Sequence, residues 1–238
     1  MLINPYPPGP LTFITEVAQL YANLMHFVVP GEESLGGKLL YAGDLKNEGR
    51  ALLVVANIAG AASLAATADT SAQKQAIRDG TADFLVTNLD EALRILKNEI
   101  RKREPVSVAI SIAPVAIVNE MLDRGVLPDL LPPQSQSAPV EPAFATFIAQ
   151  GARQIAAPPS KHSTRFLVWQ IPNEYAQRPA AFDALLTDHI PPADLTTRRW
   201  LRQAPRYLGP QFRRLRSLTC DEETASKLID VLGPPLQN

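Results

Sequence analysis

The chain has 238 residues, of which 46% are hydrophobic and 20% charged, with 23 Lys and Arg against 24 Asp and Glu for a formal net charge of −1. That length suffices for one α/β domain with or without an appendage, and so balanced a charge argues against nucleic acid or an anionic membrane as partner. A single cysteine, Cys220, excludes an intrachain disulfide and a Cys-based metal site, and favours a reducing, cytoplasmic compartment.

Residues 1–10 are proline-rich and lack the basic-then-apolar layout of a secretory signal. Phe13, Val17, Leu20, Tyr21, Leu24 and Val28 form a helical stripe over 12–28. After glycines 31, 36 and 37 the pattern alternates. A short apolar run at 38–42 predicts a strand and 48–58 a helix; 62–66 predicts a second strand, 71–78 a helix, and 82–87 a third strand. The most apolar stretch, 51–66, is interrupted by Asn57, Gly60 and Ser63 and is too short to span a bilayer.

Residues 88–103 carry the strongest helix signal. Asn88 is placed as N-cap with Glu91 three residues on, Leu89, Leu93, Leu96 and Ile100 form its buried stripe, and Asp90–Arg94 and Glu99–Arg103 are spaced to pair. A β-branched strand follows at 106–112, a helix at 113–123 and a short strand at 128–131. Residues 132–142 predict a linker, 143–153 a helix, 164–171 a further strand, and 180–186 and 196–202 helices. A final helix is predicted over 219–232, opened by a Thr219–Glu222 capping box and closed by Gly233-Pro234. Strands alternating with helices in units of about 25–30 residues imply parallel pairing through right-handed crossovers. The expected fold is therefore an open α/β sheet with helices on both faces.

In such sheets ligands bind beyond the carboxyl ends of the strands, with phosphates at the first strand–helix turn. Here that turn runs Ala42-Gly43-Asp44-Leu45-Lys46-Asn47-Glu48-Gly49-Arg50. Gly43 and Gly49 allow close backbone approach to an anion, while Asp44 and Glu48 bring negative charge to the same place. A tight turn without ligand, its acids set on the helix dipole, is the alternative.

The wider run GKLLYAG, a turn, AGAASL, DFLVTNLDEAL, a strand and RGVLPDLLPP, from Gly36 to about Pro139, resembles the central domain of urocanase (urocanate hydratase). The resemblance covers roughly 125 residues, from the helix at Thr12-Phe13-Ile14 onward, and leaves out the last 100. It implies a Rossmann-like three-layer sandwich with a mostly parallel sheet and a core at 36–154, to which the residue pattern adds an N-terminal helical segment at 1–35 and a C-terminal α/β extension at 155–238. It also implies NAD as cofactor. The positions implied to face it are Gly43, Asp44, Asn47 and Gly49 in the turn, Ser63 and Leu64 at the end of the second strand, and Thr67 and Asp69 beyond it. The departures are concentrated in the site. The family's G-L-G-G-M-G-G turn is GDLKNEG with one residue inserted, the ribose-binding acid falls at Thr67 with Asp69 as substitute, and D-Q-T-S-A-H-D becomes Pro133-Gln134-Ser135-Gln136-Ser137-Ala138-Pro139. The family's substrate-binding domain has no counterpart in these residues.

The resemblance thus implies a urocanase-like domain that is catalytically degenerate and holds a nucleotide or small anionic ligand at the strand ends. The alternatives are an NAD-dependent, urocanate hydratase-like lyase of histidine degradation and a ligand-free oligomeric interaction protein. No catalytic residue and no metal are expected: His26, His162 and His189 lack ligand spacing, and no nucleophile elbow occurs. Cys220 beside Asp221 and Glu222 is expected to be unreactive. Asp69 before Thr-Ser also has the form of an N-cap, and Asp83 and Asp129 fall in strand-entry loops. Arg198–Arg216 holds seven arginines with Trp200, Tyr207 and Phe212 and no acid. That composition points to homo-oligomer formation or partner docking, with phosphate binding or a solvated face as alternatives.

Overall fold

The computed structural model describes residues 8–134, 142–156 and 164–236; His162 and the segment 135–139 lie outside them. The chain divides into two compact units, 23–158 on one side and 1–22 with 159–238 on the other.

In the unit 23–158, β1 (Leu39–Asp44), β2 (Ala62–Ala66), β3 (Phe84–Val86), β4 (Val106–Ile110), β5 (Leu130–Leu131) and β6 (Arg153–Gln154) form a wholly parallel sheet of order β3-β4-β2-β1-β5-β6. The helices α2 (Asn47–Ala59), α3 (Thr70–Arg78), α4 (Leu89–Lys102), α5 (Pro114–Asp123) and α6 (Pro142–Ala149) carry the crossovers. The arrangement is α/β and Rossmann-like. β2 and β4 are buried at every position, as expected of strands covered on both faces. Leu64, Val86, Leu96, Val108, Ile117 and Phe147 belong to one continuous core.

Two carboxylates fasten strands at their entries. Asp129 accepts from Leu39 N at 2.8 Å and from Lys38 Nζ at 2.9 Å, joining β5 to β1. Asp83 accepts from the amide and hydroxyl of Ser107, both at 2.8 Å, joining β3 to β4. Asn88 caps α4 by accepting from Glu91 N, but the predicted pairs along that helix do not form as drawn. Asp90 pairs with Arg124, the residue just after α5, Glu99 with Lys102, and Arg103 with Glu32. An i,i+4 pair contributes only about 0.2–0.5 kcal/mol, little enough for nearby partners to displace it.

The other unit contains α1 (Pro8–Met25) as far as Ala22, then β7 (Thr164–Gln170), α7 (Pro179–Asp188), α8 (Leu195–Tyr207), β8 (Leu215–Asp221) and α9 (Glu222–Leu232). β7 and β8 pair antiparallel as a separate two-stranded sheet. The final helix therefore starts later than its sequence predicts. Thr219 lies in β8, and Asp221 is the true N-cap, accepting from Thr224 N at 2.7 Å. Carbonyls along β8 are taken by α8: Trp200 Nε1 donates to Ser217 O at 2.6 Å and Thr197 Oγ1 to Thr219 O at 3.5 Å. On β7, Leu236 N donates to Val168 O. Both strands thus find main-chain partners beyond each other, which protects sheet edges.

Several of the clustered arginines work inside this unit. Arg216, with a side chain 6% exposed, forms a two-pronged pair with Asp183 of α7. Arg198 donates to Thr187 O and Ile190 O at the end of α7. Trp200 and Phe212 are core residues, against Tyr21 and Phe13 of α1 respectively. Asp183→Ala strands a buried guanidinium and should lower unfolding stability by roughly 3 kcal/mol in urea titration. A loss under 1 kcal/mol would contradict the structural role given to the pair.

Candidate functional site

β1 departs from regular pairing near its carboxyl end. Its register against β2 shifts between Tyr41 and Gly43, a bulge of the kind that bends a strand and re-aims its side chains. Gly43 sits at φ +77°, a left-handed conformation that favours glycine. The chain then turns into α2 with such a close approach that a Cβ on Gly49 would overlap the Asp44 carbonyl oxygen and lie 3.1 Å from that of Ala42. Only glycine fits there.

The turn and its neighbours line a cleft of about 450 Å³. Its walls are Tyr41, Ala42, Gly43 and Asp44 of β1, Lys46, Glu48 and Gly49 of the turn into α2, Pro114 at the start of α5, Pro132 just after β5, and Phe144 of α6. The sheet continues from β1 to β2 on one side and to β5 on the other, so the cleft lies at the topological switch point, where open α/β sheets bind ligands. Tyr41 and Phe144 meet edge to face, with centroids 6.1 Å apart and planes at 88°. Tyr41 OH donates to Pro114 O at 3.4 Å.

Among the crossover helices whose N-caps are described, those at the cleft differ from those away from it. α3 is capped by Asp69 and α4 by Asn88, whereas α2 and α5 have no side-chain cap. The first i−4 bond of α2 runs from Arg50 N to Lys46 O, so the amides before it belong to the uncapped first turn. Charge at the mouth is mixed. Asp44 Oδ2 and Lys46 Nζ are 3.0 Å apart, with side chains 37% and 67% exposed. Hydrogen bonding to Asp44, then its charge and that of Asp69, raise the Lys46 pKa above its ordinary value. Asp44 Oδ1 is buried and has no hydrogen-bond partner among the described residues.

Of the positions predicted from sequence, Gly43, Asp44 and Gly49 come together in this cleft, and Asn47 is the first residue of α2. Ser63 and Leu64 do not line it. They lie inside β2, which continues to Ala66; Ser63 donates to Val106 O at 3.4 Å and Leu64 is part of the core. Thr67 is buried, its hydroxyl accepting from Asp69 N and its carbonyl from Gln73 Nε2. Asp69 Oδ1 accepts from Ser71 N and Ala72 N as the cap of α3. Thr67 is thus withdrawn into the core and Asp69 spends one carboxylate oxygen on capping α3, and two carboxylates stand where a pyrophosphate belongs. These residues do not fit a full dinucleotide.

Tyr41, Pro114, Pro132 and Phe144 are lining residues that the sequence reading missed. The two prolines carry a usable signal, since each follows a strand immediately or nearly so. Phe144 carries none, because only tertiary packing brings α6 to the cleft.

Elsewhere, no group of His, Cys, Asp and Glu among the described residues could hold a metal, and no described helix is long and apolar enough to cross a membrane. His189 Nδ1 lies 2.8 Å from Leu185 O. Burial, followed by the Asp221 charge, pushes the Cys220 thiol up to about 11. It should therefore remain unreactive towards a disulfide reagent at pH 8 until denaturant is added; rapid labelling of the folded chain would contradict that environment. Gly49→Val should destabilise the fold by about 3 kcal/mol or displace α2, measured by urea unfolding, and Gly43→Ala by about 1–2 kcal/mol. Equal effects at the two positions would overturn the packing role given to Gly49.

Residues 14–147, more than half of the chain, match the family model described as the urocanase Rossmann-like domain.

Proposed function

Because the chain belongs to the urocanase family through its Rossmann-like domain, we propose that it is a binding domain without hydratase activity of its own. Its ligand is a nucleotide or part of one, held over the carboxyl ends of β1 and β5. The observation that carries this reading is the switch-point cleft, bordered by the two crossover helices, α2 and α5, that lack side-chain caps. Uncapped amides at a helix N-terminus hold hydrogen-bonding capacity that capped helices have already used. The cleft volume of about 450 Å³ lies within the range of ordinary small-molecule sites.

Hydration of an imidazole acid on bound NAD needs the cofactor placed in a defined orientation and acid–base groups facing it. The residues at the mouth do not suit the dinucleotide, and Asp44 is occupied by Lys46.

A second reading, self-association, draws on the end strand of the sheet. β3 has a neighbour on one side only, and Phe84 and Leu85 on it are 47% and 39% exposed. An exposed apolar edge strand is a template for pairing with another chain.

Binding is tested by thermal shift with NAD, ADP-ribose, AMP and adenosine. A ligand of the site at one hundred times its dissociation constant should add about 2.7 kcal/mol of stability, and Gly49→Val or Phe144→Ala should abolish the shift. If none of the four stabilises the chain and light scattering finds a dimer that Phe84→Lys dissolves, the self-association reading replaces it.

A further inference from the structure

We infer that the cleft selects a phosphate-free ligand, a nucleoside rather than a nucleotide: a planar ring carrying hydroxyl or N–H donors. This rests on the proposal that the cleft is the ligand site and narrows what it accepts.

Charge is the first argument. The lining holds two acids, Asp44 and Glu48, against one base, Lys46. Asp44 Oδ2 already pairs with that base at 3.0 Å. A phosphate entering the mouth must draw Lys46 away from Asp44 and then sit beside two carboxylates. Like charges brought together in a partly desolvated site oppose binding.

Hydrogen bonding is the second. Asp44 Oδ1 is out of water and has no partner among the described residues, so its desolvation is already incurred and a donor placed against it gains more than one meeting solvent. A partial turn of the carboxylate on ligand entry brings that oxygen to the cleft, so Lys46 and a ligand donor can each take one. A phosphate dianion has only acceptors and leaves that oxygen unmatched. A sugar hydroxyl donates to the carboxylate and accepts from an amide of the uncapped α2 turn, using both kinds of group that the mouth presents.

Shape is the third. The Tyr41 and Phe144 rings stand perpendicular, with Pro114 and Pro132 also lining the cleft. Tyr41 is itself buried at 1% exposure and backs Phe144, so a flat ring entering the cleft stacks on the half-buried Phe144 beside the two prolines.

The test is isothermal titration calorimetry of the full chain with adenosine, guanosine and uridine, each against its 5′-monophosphate, and with NAD. At least one nucleoside should bind about tenfold or more tightly than its monophosphate and than NAD. Asp44→Asn should weaken that nucleoside about tenfold and shrink its preference over the monophosphate towards one. Glu48→Gln should improve the monophosphate more than the nucleoside. Melting temperatures near wild type establish that both variants fold. A monophosphate or NAD binding as well as the nucleoside overturns the inference but leaves the cleft as ligand site. The same holds if the preference survives both substitutions. Failure of every ligand to bind removes the ligand site itself.

Discussion

The contact between Gly49 and the end of β1 governs the rest of this site. A side chain at that position would occupy the space of the Asp44 carbonyl, so the first turn of α2 lies directly against the strand only because glycine is there. The approach brings uncapped amides to the mouth of the sheet. It sets Gly43 in a left-handed turn beside Pro132, whose Cγ is 3.7 Å from where a Cβ would stand, and it fixes Asp44 and Lys46 on the rim. In a nucleotide site glycine at such a turn serves close helix–strand packing as well as access for phosphate. Here the packing role persists while the electrostatics have reversed.

The cleft rests on strands that have little freedom to shift. Asp129 joins the entry of β1 to that of β5, and Asp83 joins β3 to β4. Register between parallel strands is therefore held by carboxylates at their amino ends, away from the cleft at their carboxyl ends. In the unit formed by 1–22 and 159–238, a polar group lies deeper. The guanidinium of Arg216 is buried and matched by Asp183, a pairing in which the loss of one partner matters more than the gain from both.

The parallel sheet was legible in the sequence because its strands are short apolar runs bounded by turn residues, and VSVAI and ASLAA are buried throughout as such runs require. The glycines of the β1–α2 turn and the acids between them were legible for the same reason. β8 was not. LRSLTCD carries a buried arginine, which in one dimension looks like part of a basic surface, and its partner Asp183 lies 33 residues away. Thr219 and Glu222 imitate a capping box, yet Asp221 between them makes the cap. The two-residue β6 is too short to produce any period. Ser63 and Leu64 were placed at a strand end by the family resemblance, although the apolar run at 62–66 already marks β2 as extending to Ala66.

The account's central claim is that ligand chemistry belongs to the carboxyl ends of β1 and β5. Amide shift mapping by NMR on the labelled chain, titrated with a nucleoside that binds, addresses it directly. The account predicts shifts concentrated at residues 41–50 and around Pro114, Pro132 and Phe144, with β2 interior positions and the arginines of α8 unmoved. Shifts confined to α8 and β8, with the β1–α2 turn silent, would contradict it.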